Sequence, residues 1–196
     1  DICIASNGTV GSVLLFGNRD PTQMRDIALP TDSATSRKLC MWILNQMGLN
    51  PRPVDMGPDL GPMLERCDGA LLIGDRALDE AANHPEMVRM DIGQAWLELT
   101  GFPMVFAVYA AHRDAPEDRL EEAHRLLISQ LESFENIPSF RKSVIQTTAK
   151  RSGFSQSRIE QYFHEVVLRL DENGEEGLNY FMEQVCGQKS YRKVQL

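Results

Sequence analysis

Short apolar runs at residues 2–5, 12–16, 27–29, 69–73 and 104–111 alternate with glycine-rich loops and amphipathic segments along the first half of the chain. Runs this short and this continuously apolar read as strands buried on both faces. Their alternation with helices specifies an α/β domain with a largely parallel sheet. A further short strand is expected at 54–56. Between the strands, residues 37–47 place Leu39, Trp42, Ile43, Leu44 and Met47 on one helical stripe that stops at Gly48. Asp59 is expected to cap a helix through 63–66, and 94–99 reads as helix. Thr100-Gly-Phe-Pro103 breaks the chain before the last strand.

Beyond Asp114 the period becomes helical. Asp114 with Glu117 resembles a capping arrangement ahead of Leu120, His124, Leu127, Ile128, Leu131 and Phe134. Pro138 opens a helix to about residue 150. Ser157 and Glu160 fit a capping box for a helix over 159–170, and 175–186 forms a last helix before a frayed basic tail at 189–193. Because the chain opens on the strand-like Asp1-Ile-Cys-Ile-Ala5 without an initiator Met, it is expected to be part of a longer protein.

Composition narrows the function. With 42% hydrophobic and 24% charged residues, the chain can bury a core and is not disordered. No apolar run approaches the roughly 18–20 residues needed to cross a bilayer. The net charge of −8 and the lack of a concentrated basic surface disfavour nucleic acid and anionic membranes as partners. Cys3, Cys40, Cys67 and Cys186 are scattered, with no metal-ligand spacing, and read as small buried hydrophobes in a reducing cytoplasm. No secretory signal is expected. The histidines do not cluster with cysteines or carboxylates, so no metal site is expected, and no nucleophile elbow occurs.

Three places remain for chemistry. Ser33-Ala-Thr-Ser36 opens a helix after a strand, where free N–H groups and the helix dipole attract an anion; the same residues also fit a plain N-cap. Ser6-Asn-Gly-Thr-Val-Gly11 is a permissive loop that either turns the chain or lets Ser12 present its hydroxyl to a ligand. Ile73-Gly-Asp75 ends a buried strand, and Asp75 either holds a substrate hydroxyl or caps the next helix.

Four segments together resemble a known family: Ala5-Ser-Asn-Gly-Thr-Val-Gly-Ser-Val-Leu-Leu-Phe16, Ser33-Ala-Thr-Ser-Arg37, Pro58-Asp-Leu60 with Asp68-Gly-Ala-Leu-Leu-Ile-Gly-Asp-Arg-Ala-Leu78, and Asp91-Ile-Gly-Gln-Ala-Trp-Leu-Glu-Leu-Thr-Gly-Phe-Pro-Met-Val-Phe-Ala107. The chain is similar to the chorismate dehydratases of the futalosine route to menaquinone, relatives of the type 2 periplasmic binding proteins. The match covers essentially residues 1–110. Family members extend further at the N-terminus, where a Tyr-Leu-Asn-type motif supplies a catalytic Asn. Phe102 and Tyr109 stand where the family has Leu and Trp.

The resemblance implies a two-lobed α/β fold of the type 2 periplasmic-binding-protein kind. Part of the first lobe would be missing at the N-terminus, and the C-terminal region would be helical. Residues 1–12 plus 112–196 would belong to the first lobe. Residues 13–111 would form the second, with the hinge-crossing strands at its ends. It further implies a lyase that dehydrates chorismate to 3-[(1-carboxyvinyl)oxy]benzoate without cofactor or metal. Ser12 would be catalytic, and Ser33, Thr35, Ser36, Asp75 and Phe102 would bind substrate. A non-catalytic module that captures a small acid on the same fold is the alternative.

Overall fold

Strand β2 (Val13–Gly17) is buried at every position, which requires cover on both sides. A computed structural model, describing residues 2–189 and Tyr191, supplies that cover. β2 lies in a five-stranded sheet with β3 (Asp26–Pro30), β4 (Arg52–Met56), β5 (Gly69–Ile73) and β6 (Val88–Asp91), ordered β4-β3-β5-β2-β6. Alternate residues of the central strands face opposite helical layers. Val13, Leu15 and Leu71 join Leu39, Cys40, Ile43 and Leu44 of α1 (Ala34–Gln46), and Ile92 and Trp96 of α4 (Ile92–Thr100). Leu14, Phe16, Ala70 and Leu72 join Leu60 and Met63 of α2 (Leu60–Arg66), and Ala77 of α3 (Gly74–Asn83).

β3 runs parallel to β4 and β5, but β2 is antiparallel to both β5 and β6, so the expected parallel character holds only for part of the sheet. The reason is the route of the chain. It enters β2 from β1 (Ile2–Ser6), a strand of a second, wholly antiparallel sheet ordered β7-β1-β8. β7 (Met104–Val108) pairs with β1, so residues 104–108, expected at the end of the second lobe, belong to the smaller sheet. As an edge strand β7 also stops at Val108 rather than 111, leaving Tyr109 66% exposed.

The helical tail comprises α5 (Glu117–Asn136), α6 (Pro138–Ser152), α7 (Gln156–Glu165) and α8 (Glu172–Gln184). Asp114 lies in the preceding loop, not at the cap of α5, which Pro116 occupies. Ser155, not Ser157, caps α7 by accepting from the Arg158 N–H at 3.2 Å. The helix expected to reach 170 ends at Glu165, because Val167–Arg169 forms β8 against β1; strand pairing of a β-branched segment overrides its helical spacing. Asp59 holds the N-cap position of α2 without a cap hydrogen bond. In the expected frayed tail, Ser190, Arg192 and Lys193 lie outside the described residues.

Helix α8 ties the two sheets together. Its Tyr180 and Phe181 meet Trp96 at ring-centroid distances of 5.9 and 6.0 Å, while Leu178 packs with Cys3, Ala5 and Val105 of the small sheet. The Trp96 indole donates to the Pro103 carbonyl at 3.2 Å. All four thiols are free, and burial pushes Cys40 up to about 12 and Cys3 up to about 11, far from a reactive thiolate.

Candidate functional site

Two helices begin where the two sheets approach each other. At α1, Ser33 is a true N-cap: its Oγ accepts the Ser36 N–H at 3.2 Å. That bond removes the Ser36 amide from the free donors expected there and leaves those of Ala34 and Thr35, with the Thr35 and Ser36 hydroxyls beside them. At α3, Ile73 occupies the cap position and offers no side-chain bond, so the first-turn amides have no internal cap. The Gly74 N–H donates to the Ser12 carbonyl at 2.7 Å, which ties the strand entrance to the helix start.

Ser12 is therefore fixed from both sides. Upstream, the Asp91 carboxylate collects N–H groups from Val10 at 3.1 Å and Gly11 at 2.8 Å, and from Gly93 and Gln94 in the first turn of α4 at 2.9 and 3.1 Å. One side chain thus caps α4 and holds the glycine loop. Gly11 takes φ +68°, a left-handed conformation open to glycine, and a Cβ there would lie 2.8 Å from both Arg158 and Glu165 of α7. Gly93 is equally constrained, since a Cβ would stand 2.6 Å from the Gly8 carbonyl. The 7–12 loop is pressed between α4 and α7.

Between these elements lies a cavity of about 270 Å³. Ser12, Ser33, Thr35 and Ser36 all line it, so the structure brings together the two hydroxyl clusters that the sequence separates by twenty residues. Ser12 is 6% and Ser36 8% exposed, and among the described residues no hydrogen bond engages the Ser12 hydroxyl. Ile4, Val10, Val13, Leu39, Ile73 and Phe106 supply apolar walls.

Asp75 and Phe102 lie elsewhere. Asp75 is exposed on the first turn of α3, and its neighbour Gly74 lines the cavity instead. Phe102 turns into the seam, with its ring 5.6 Å from Tyr180 and its Cβ against Gly177. Tyr162 of α7 also lines the cavity, and sequence reasoning missed it because only the tertiary fold brings the tail to the cleft. The role of Asp91 had a local signal, an Asp directly before the helix Ile92–Thr100.

Among the described residues, the lining carries no formally charged side chain. Arg37 of α1 is paired with Asp55 and Arg76 of α3 with Asp32. An anion held here would be bonded by amide dipoles and hydroxyls, which act strongly in a partly dried cleft. Among the described residues, no three His, Cys, Asp or Glu side chains gather into a metal-holding group. No helix there is long and apolar enough to cross a membrane.

A family model described as menaquinone biosynthesis matches residues 1–186. A chorismate dehydratase of Thermus thermophilus is 30% identical over 203 residues, covering 93% of this chain and 71% of that protein. Among solved structures, a protein of Archaeoglobus fulgidus superposes with a TM-score of 0.63 at 16% identity, over 95% of this chain and 68% of that one. The periplasmic aliphatic sulphonate binding protein SsuA of Escherichia coli does so with a TM-score of 0.57 at 17% identity, over 95% and 70%. These likenesses show a periplasmic-binding-protein-like α/β fold.

Proposed function

The chain belongs to the menaquinone biosynthesis family, and on that premise we propose that its cleft dehydrates chorismate to 3-[(1-carboxyvinyl)oxy]benzoate. The observation that carries this reading is the convergence, in one cavity, of the unengaged Ser12 hydroxyl with the start of α1. The cleft divides a lobe built on the five-stranded sheet from one built on the three-stranded sheet and the C-terminal helices. The protein works in the cytoplasm, where a biosynthetic substrate of this kind is made.

Chorismate carries two carboxylates. One sits at the start of α1, bonded by the Ala34 and Thr35 amides and by the Thr35 and Ser36 hydroxyls. The uncapped first turn of α3 offers a second positive dipole end for the other. The charge of −8 does not exclude such a ligand, since surface charge is screened beyond roughly 8–10 Å at physiological salt.

In the reaction a ring C–H bond and a ring C–O bond break, the proton and the hydroxyl leave as water, and the ring becomes aromatic. Aromatisation supplies the driving force, so the site's task is to orient the ring and stabilise developing negative charge. Ser12 does this from the strand entrance, its main chain fixed by Gly74 and, through Gly11, by Asp91. Among the described residues the lining offers hydroxyls but no carboxylate or imidazole, and the proton passes to a carboxylate of the substrate itself. Incubating the protein with chorismate and separating the products by liquid chromatography tests the reading. It expects the enolpyruvyl-oxybenzoate with equimolar loss of chorismate; tight binding without turnover would make the protein a solute-binding module instead.

A further inference from the structure

The polar groups that line the cavity are distributed unequally. The larger-sheet elements and the loop entering them contribute Ser12, Ser33, Thr35 and Ser36. The smaller-sheet side contributes Ile4 of β1 and Phe106 of β7, both apolar, and Tyr162 of α7. Tyr162 thus carries the one lining hydroxyl, among the described residues, that reaches the cavity from that side.

Its helix is anchored rather than loose. Ile159, 2% exposed, packs with Ile145 and Ala149 of α6, and the Phe163 ring lies 4.9 Å from Phe134 of α5. One stripe of α7 therefore holds to the helical hairpin. The adjacent stripe, Arg158, Tyr162 and Glu165 at helical spacing, turns to the glycine loop and the cavity. The Arg158–Glu165 pair, at 3.1 Å and largely shielded, lies where a Gly11 Cβ would fall, so α7 is keyed to the loop that carries Ser12. Tyr162 is half-buried, its ring meets Phe163 at 6.3 Å, and among the described residues its phenol makes no hydrogen bond. A half-buried phenol that lines a cavity without a partner among the described residues is free to donate to a ligand acceptor.

We propose that Tyr162 is a substrate-binding residue whose phenol donates a hydrogen bond to an oxygen of chorismate across the cleft from Ser12. This rests on the dehydratase reading above. The bond joins the ligand to both lobes, and α7 supplies it from a fixed position. It favours substrates with an oxygen at the end remote from the α1 start over simple monocarboxylates.

The test compares the parent protein with Tyr162→Phe and Tyr162→Leu, measuring kcat and KM for chorismate, calorimetric binding of chorismate, and thermal stability. Tyr162→Phe keeps the ring, so it should leave the melting temperature unchanged and raise KM and Kd roughly tenfold, the size expected for a hydrogen bond to a charged acceptor. Tyr162→Leu should match it in KM. Unchanged KM and Kd in Tyr162→Phe would overturn the assignment, including the case where only Tyr162→Leu is impaired, because the ring alone would then matter. Turnover by the parent protein reports separately on the dehydratase reading. If the parent binds chorismate without converting it, that reading fails while the Kd comparison still decides Tyr162. If it neither converts nor binds chorismate, both fail.

Discussion

The two halves of the molecule are built to different standards of burial. Around the five-stranded sheet, Leu15, Phe16, Ile27, Leu71, Leu72 and Trp96 are wholly buried between helices on both faces. Around the three-stranded sheet and the tail, Cys3, Ala5, Val105 and Leu178 form one small cluster, and Ile145, Ala149 and Ile159 another. The tail relies also on ring contacts and ion pairs, such as Arg141 over the Phe134 ring at 4.6 Å and Arg169 with Glu135 at 2.6 Å. The lesson is a division of labour. The densely packed half fixes the helix starts, and the lightly packed half brings an apolar wall and one phenol against them.

Deleting a large side chain should expose the contrast most strongly. Phe16→Ala empties a site enclosed by the sheet and by α2 and α3, and should cost about 3–5 kcal/mol in denaturant unfolding. Ile159→Ala, in a small cluster rimmed by the partly buried Phe154 and Phe163, which can collapse into the space, should cost about 2 kcal/mol. Equal costs would mean that the tail is as well supported as the sheet.

The next largest effect belongs to the joint between the halves. Asp91→Ala removes the cap of α4 and the hold on the glycine loop together, so a loss of about 2–3 kcal/mol is expected. Turnover should fall with it, because Ser12 follows Gly11 directly. Asp91→Asn, which keeps acceptor capacity, should recover part of both. Full activity in Asp91→Ala would show that Ser12 is placed by Gly74 alone.

At the α1 start the effect is smaller. Ser33→Ala should lower stability by about 1 kcal/mol through loss of the cap. It also frees the Ser36 amide, so chorismate binding should weaken less than in Thr35→Ala, as a direct Kd comparison would reveal.

These predictions also locate what local sequence could tell. Strands at 12–16 and 69–73 are legible because sheets covered on both faces need unbroken apolar runs. The α1 start is legible because capping oxygens and the helix dipole are local properties. β6 and β8 are not: Val88-Arg-Met-Asp91 alternates over four residues, and Val167–Arg169 acquires its strand only by pairing with β1. Phe102 shows the reverse problem, a residue in a legible motif whose ring turns from the cleft to Tyr180. Tyr162 has no local signal, since its place on the cavity depends on how α6 and α7 fold back.

The smallest effect concerns pH at the base of the large sheet. Hydrogen bonds from Arg25, with Arg19 nearby, hold the Asp68 carboxyl down at about 2. A carboxylate depressed in the folded state contributes stability above its unfolded value near 3.8, and loses it as pH falls toward 2. Asp68→Asn should therefore flatten the acid limb of the stability profile between those values and leave substrate binding intact, since Asp68 does not line the cavity.

The central claim is that the Ser12 hydroxyl, held between Asp91 and α3, acts on the transition state and not only on bound chorismate. Steady-state kinetics of Ser12→Ala with chorismate tests it most directly. A group whose interaction is realised in the transition state lowers kcat and kcat/KM together when removed. The account predicts a fall in kcat of about 100-fold or more with little change in KM, the size seen when one stabilising donor is removed from a developing anion. Normal kcat with a raised KM would contradict it and make Ser12 a binding residue.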